Sequence, residues 1–110
     1  MVRLTLTLVA HRGQAKDLAA TLRSLLNQAH TEPGLVDGQV SIDTVDPHRL
    51  YYLEEWITES AFRGQLGSER FRRLIGVLEA AAERPRFDLQ VVLRSHGLDY
   101  VEEALERTQR

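Results

Sequence analysis

The chain has 110 residues, 43% of them apolar, with one Trp and three Phe, enough for one hydrophobic core and too little for a second. Fourteen basic against sixteen acidic side chains leave a formal charge of -2, so no global field recruits nucleic acid or an anionic membrane. The absence of cysteine excludes disulfides and thiolate chemistry, and no stretch approaches the roughly 20 apolar residues of a membrane span; the expectation is a soluble, cytoplasmic protein.

Leu4, Leu6 and Leu8 alternate with Arg3, Thr5 and Thr7, the period of a half-buried strand rather than the unbroken apolar run of a signal peptide. Gly13 breaks that strand, and Ala15, Leu18, Leu22, Leu25, Leu26 and Ala29 then recur on one face of a helix from about Gln14 to Ala29. Pro33-Gly34 makes a turn. Val36, Val40 and Ile42 alternate with Asp37, Gln39 and Ser41 in a second strand, and Asp46-Pro47 turns the chain into a third strand over Arg49 to Trp56. Thr58 or Ser60 caps a short helix through Leu66 that Gly67 stops. Ser68 caps a second long helix that buries Phe71, Leu74, Ile75, Leu78 and Ala82 and ends at Pro85. Phe87, Leu89, Val91 and Leu93 mark a fourth strand, and Leu98, Val101 and Leu105 a helix in the polar tail, with Glu103 and Arg107 spaced to pair.

This β-α-β-β-α-β order predicts an α+β fold of the ferredoxin-like kind over residues 1–94, an antiparallel four-stranded sheet with its helices on one face, followed by a helical tail over 95–110. The opposite sheet face then presents Arg3, Thr5, Thr7, Gln39, Ser41, Asp43, Asp88 and Gln90. In strand three, periodicity permits either Tyr52, Glu54 and Trp56 or Tyr51, Leu53 and Glu55 on the helix side. Burying Trp56 removes more apolar area from water and draws Glu54 inwards. A carboxylate there must pair, accept hydrogen bonds or stay protonated, so Glu54 is either a structural partner, the favoured reading, or a tuned acid-base group.

Glu32-Pro33-Gly34, Asp46-Pro47, Glu54-Glu55-Trp56, Ala61-Phe62 and Ser68-Glu69-Arg70-Phe71 together resemble the antibiotic biosynthesis monooxygenase superfamily across about residues 2–94. The resemblance implies a protomer whose sheet meets its twin in a homodimeric α+β barrel, with a small aromatic ligand between sheet and helices. Members include monooxygenases that oxidise aromatic polyketides or quinols without metal or flavin, haem-degrading enzymes, and proteins of no known activity. Many members carry His where this chain has Gln65 and Arg70. The Asn, Trp and His of the haem-degrading branch would fall at Leu6, Gln65 and Ile75, which disfavours that chemistry.

Two functions follow as expectations. One is a cofactor-independent monooxygenase acting on a small aromatic, quinol or polyketide-like molecule, with Glu54, Gln65 and Arg70 as catalytic candidates and Asn27, Tyr52, Trp56, Phe62 and Phe71 around the substrate. The other is a noncatalytic dimeric small-molecule-binding or accessory module. An open apolar pocket under Trp56 favours the first, and side chains that fill that space favour the second. Neither calls for a cofactor, a metal, nucleic acid or a membrane: His11, His30, His48 and His96 sit at element ends without metal-ligand spacing. Arg63, Arg70, Arg72 and Arg73 read as a solvated helix surface, with Glu69 paired to Arg73, and Arg3 is expected to pair with Asp43 or Asp88 across the dimer.

Overall fold

A computed structural model describes residues 1–109. The elements run β1 (Val2–Val9), α1 (Ala15–Ala29), β2 (Leu35–Ile42), β3 (Arg49–Trp56), α2 (Glu59–Arg63), α3 (Glu69–Glu79), β4 (Arg86–Val91) and α4 (Leu98–Thr108). The four strands form one sheet in the order β2-β3-β1-β4, every neighbouring pair antiparallel. This is the α+β, ferredoxin-like arrangement that the sequence predicts.

β1 buries every second residue, Val2, Leu4, Leu6 and Leu8, under the helices, and β3 answers with Leu50, Tyr52, Glu54 and Trp56 in register. The open choice in β3 therefore resolves toward Trp56. Ala19, Leu22, Leu25, Leu26 and Ala29 of α1, Phe62 of α2, and Phe71, Leu74 and Leu78 of α3 close the core from above. Side-chain hydroxyls cap α2 and α3 at their N-termini: Thr58 accepts from the Ala61 amide at 3.0 Å and Ser68 from the Phe71 amide at 3.1 Å.

Four details depart from the sequence reading. In β2 a register shift between Leu35 and Asp37 sets Leu35 opposite Trp56 and leaves Val36 exposed, because the extra residue of a bulge interrupts the period of two. The short helix stops at Arg63 instead of continuing to Leu66. α3 stops at Glu79, so Ala82 is exposed; its amide has left the helix to donate to the Val9 carbonyl at 2.9 Å. In β4, Phe87, Leu89 and Val91 stand opposite Leu6, Leu4 and Val2 as expected, yet all three are exposed at the sheet edge, and Leu93 lies beyond the strand.

Gly38 shows how closely α1 sits on the sheet. A Cβ at this position would stand 2.4 Å from Leu26 Cδ1, so the missing side chain is what lets α1 lie across β2 opposite Glu54. At Gly34 the chain enters β2 with φ +95°, a conformation that favours glycine.

Candidate functional site

Alternation along β3 places Tyr52, Glu54 and Trp56 in one row facing the helices. The Ser68 cap sets the phase of α3 so that Arg70, in its first turn, points at the middle of that row. A cation in the first turn opposes the helix dipole, so this placement needs a compensating partner. Glu54 supplies it: Arg70 Nη1 donates to Glu54 Oε2 at 2.8 Å, and Nη2 lies 3.4 Å from Oε1. Trp56 Nε1 donates to Oε1 at 2.9 Å, and the Tyr52 hydroxyl donates to Oε2. Gln65, in the turn between α2 and α3, accepts from Arg70 Nη2 at 3.2 Å.

Glu54 is wholly inaccessible to solvent, Arg70 is 6% exposed and Gln65 7%. Tyr52 and Trp56 are completely buried, and Phe62 packs edge-on against Phe71 at 6.1 Å between ring centres beside them. The four donors that converge on the carboxylate leave no lone pair turned toward a substrate proton. Burial, with the Glu54 charge and hydrogen bond adding to it, pushes the Tyr52 phenol well above its ordinary range, so that hydroxyl is a fixed donor. Burial alone would lower the pKa of Arg70, but the hydrogen bonds and charge of Glu54 outweigh it and raise it, fixing the guanidinium as a cation. One group in the cluster stays unsatisfied: Arg70 Nε is buried with no partner.

Of the candidate site residues, the structure thus gathers Glu54, Gln65, Arg70, Tyr52 and Trp56 into one network, with Phe62 and Phe71 beside it. Asn27 is exposed on α1 and takes no part in the network. Arg70 also leaves the expected surface cluster of arginines; the solvated pairs are Arg63 with Glu59 at 3.0 Å and Arg73 with Glu69 at 2.9 Å. Among the described residues no group of three or more His, Asp or Glu is placed to hold a metal ion.

A concavity lies elsewhere, away from this cluster. An open groove of about 650 Å³ runs between α1 and α3, lined by apolar Leu25 and Val77 and by polar Thr21, Ser24, Gln28 and Arg73. Through Thr21, Val77 and Ala80 it adjoins a second recess of about 270 Å³ bordered by His11, Asp17 and Leu18. His11 Nε2 lies 3.0 Å from the Ala80 carbonyl, tying β1 to the end of α3. The sequence signal for this groove is the small residues Ala20 and Ser24 on α1 and Gly76 on α3 with Ala80 at its C-cap, each pair four apart, which keep the facing helix surfaces hollow.

On the opposite sheet face Arg3 Nε donates to Glu55 Oε1 of the same chain at 3.0 Å. Asp43 is engaged in its own hairpin, where it accepts from the Asp46 amide at 2.8 Å, the Tyr51 hydroxyl at 2.8 Å and the Val45 amide at 3.0 Å. These bonds hold its pKa below the ordinary range.

Residues 1–76 match the sequence model of the family described as antibiotic biosynthesis monooxygenase. The fold is similar to that of several solved structures. A Deinococcus radiodurans protein described as a candidate antibiotic biosynthesis monooxygenase superposes with a TM-score of 0.79 at 20% identity, covering 89% of this chain and 98% of its own. Rv0793 from Mycobacterium tuberculosis gives 0.75 at 15% identity, covering 87% and 98%. PA3566 from Pseudomonas aeruginosa gives 0.70 at 27% identity, covering 84% and 94%. No curated protein matches the sequence.

Proposed function

We propose, for a chain that belongs to the antibiotic biosynthesis monooxygenase family, that it works as a dimeric binding module for a small aromatic molecule and that its Glu54 cluster is a structural keystone, not a proton-transfer site. The observation that carries this reading is the closure of the cluster. Tyr52, Trp56 and the two terminal nitrogens of Arg70 all donate to Glu54, and Tyr52, Trp56, Phe62 and Phe71 are buried in the space in which a substrate would lie. A substrate in that space would have to displace buried side chains and separate an ion pair that is 6% and 0% exposed.

The ligand site in this reading is the open groove between α1 and α3, where apolar Leu25 and Val77 beside polar Thr21, Ser24, Gln28 and Arg73 suit a flat ring bearing oxygens. Gly76 tests it. A Cβ there meets nothing within 4 Å, so Gly76→Leu grows into open space while improving helix propensity. Titration with a panel of quinones, quinols and anthrones should show saturable binding that Gly76→Leu abolishes without loss of thermal stability. Binding left intact by that change would place the ligand elsewhere.

A second reading, cofactor-independent oxygenation of a small aromatic or quinol, is favoured by one feature. Arg70 Nε is a buried donor without an acceptor, the kind of group that stabilises a developing enolate oxygen. In that reading Arg70 and Gln65 hold the substrate oxygen, Trp56 and Phe71 enclose its ring, and the substrate must lose its proton without help from Glu54. No cofactor or metal enters either reading.

A further inference from the structure

α4 carries an apolar stripe that nothing among the described residues covers. Leu98, Val101 and Leu105 follow one another at helical spacing, and all are at least 49% exposed. The chain leaves the sheet just before it: the Val92 amide donates to the Met1 carbonyl at 2.7 Å, which extends the β1–β4 ladder by one step and carries the backbone outward past the sheet end. The radius of gyration is 16.7 Å and the long axis 54 Å, against a radius of about 13 Å for a compact chain of this length, so α4 stands off the body.

The body holds an exposed apolar surface of similar length. α1 packs over β2 and β3, and Arg73, Gly76, Val77 and Ala80 turn one flank of α3 toward α1. At 100° per residue, Arg72 and Ile75 lie on the other flank, over the β4 side of the sheet. Between that flank and the edge, Phe87, Leu89 and Val91 form an exposed apolar row. The row is about 13 Å long, four strand steps, and the stripe from Leu98 to Leu105 about 10 Å, seven helix steps. Glu102 borders the stripe on α4, and Arg72, which forms no ion pair among the described residues, lies one helical turn from Ile75 on α3.

We infer that α4 is an exchanged arm: in the dimer each protomer lays the Leu98–Val101–Leu105 stripe into the trough between Ile75 and the Phe87–Leu89–Val91 row of a second copy. The exchange is reciprocal under two-fold symmetry, so one complementary pair of surfaces on the chain is covered twice per dimer. It explains why an edge strand exposes three large apolar side chains on the face that the rest of the sheet buries, and why an amphipathic helix projects from the body. The inference rests on the dimeric reading above and adds to it the surface that holds the arm.

The absence of cysteine from the sequence makes the test clean. Leu89→Cys and Val101→Cys are prepared as separate variants, one of them tagged, both at exposed positions that leave the core intact. The variants are mixed, allowed to exchange subunits and oxidised mildly. The expected product is a disulfide-linked heterodimer of one tagged and one untagged chain, and deletion of residues 95–110 from the natural chain should weaken dimerisation by roughly tenfold or more. Two outcomes overturn the inference: no cross-link between the two variants, or an internal disulfide confined to monomers of the Leu89→Cys/Val101→Cys double variant. Sedimentation of the unmodified protein separates the failures, because a dimer without the cross-link rejects the arm alone and a monomer rejects the dimeric reading as well.

Discussion

Removing the guanidinium of Arg70 is the sharpest perturbation of the buried cluster. Arg70→Met keeps the aliphatic stem and leaves Glu54 with only the Tyr52 and Trp56 donors. The pair is 6% and 0% exposed, so neither charge has water to fall back on, and stripping one partner from such a pair costs about 3–5 kcal/mol. Spread over the unfolding entropy of a chain of this length, that loss lowers the melting temperature by roughly 13–22 °C. Glu54→Gln should cost a similar amount by leaving the Arg70 cation without its counter-charge. The double variant should cost little more than either single one, because the second change removes a group that the first has already stranded, which gives a coupling energy of about 3 kcal/mol. Urea unfolding of the four proteins, with slopes checked for constancy, measures all three differences. Single losses below about 1 kcal/mol, or losses that simply add, would refute the description of the cluster as a keystone.

Two further perturbations follow from the same geometry. Gly34→Ala imposes a side chain at φ +95° and sets its Cβ 2.7 Å from the Ala61 Cβ, so it should destabilise by about 1–3 kcal/mol in the same unfolding assay; an unchanged midpoint would mean that α2 moves freely against β2. The Tyr52 phenol has its folded pKa raised above the ordinary value of 10.0, so the folded state keeps a proton that the unfolded state releases. Its contribution is fully present below that value and declines at about 1.4 kcal/mol per pH unit as pH rises above it. Stability measured between neutral and strongly alkaline pH should therefore fall less steeply in Tyr52→Phe than in the natural protein, and equal slopes would contradict the buried, protonated phenol.

The architecture was legible because the apolar periods are clean. Leu4, Leu6 and Leu8 on β1, Leu22, Leu25 and Leu26 on α1 and Leu74 and Leu78 on α3 all occupy the faces that their spacing assigns. The size of the Trp56 indole also decided the face of β3 and with it the burial of Glu54. What the sequence hid depends on contacts distant in the chain. The bulge at Val36 is a property of the pairing of β2 with β3, and the early end of α3 is set by Ala82 turning to the Val9 carbonyl rather than by a cap residue. Arg70 was a site candidate through the family resemblance, but by its own spacing it read as one of several surface arginines, since only its burial separates it from Arg72 and Arg73. The exposed row on β4 has the alternation of a covered strand, and its spacing carries no information about which chain covers it.

The decisive property of this protein is whether the closed cluster supports oxygen chemistry. Oxygen consumption by the purified, metal-free protein, measured against a panel of reduced quinols and anthrones with Gln65→Ala and Arg70→Lys alongside, addresses that directly. The binding-module reading predicts uptake at the protein-free rate in every sample. Uptake that requires the protein and falls in either variant would contradict it and establish the cluster around Glu54 as the seat of a cofactor-independent oxygenation.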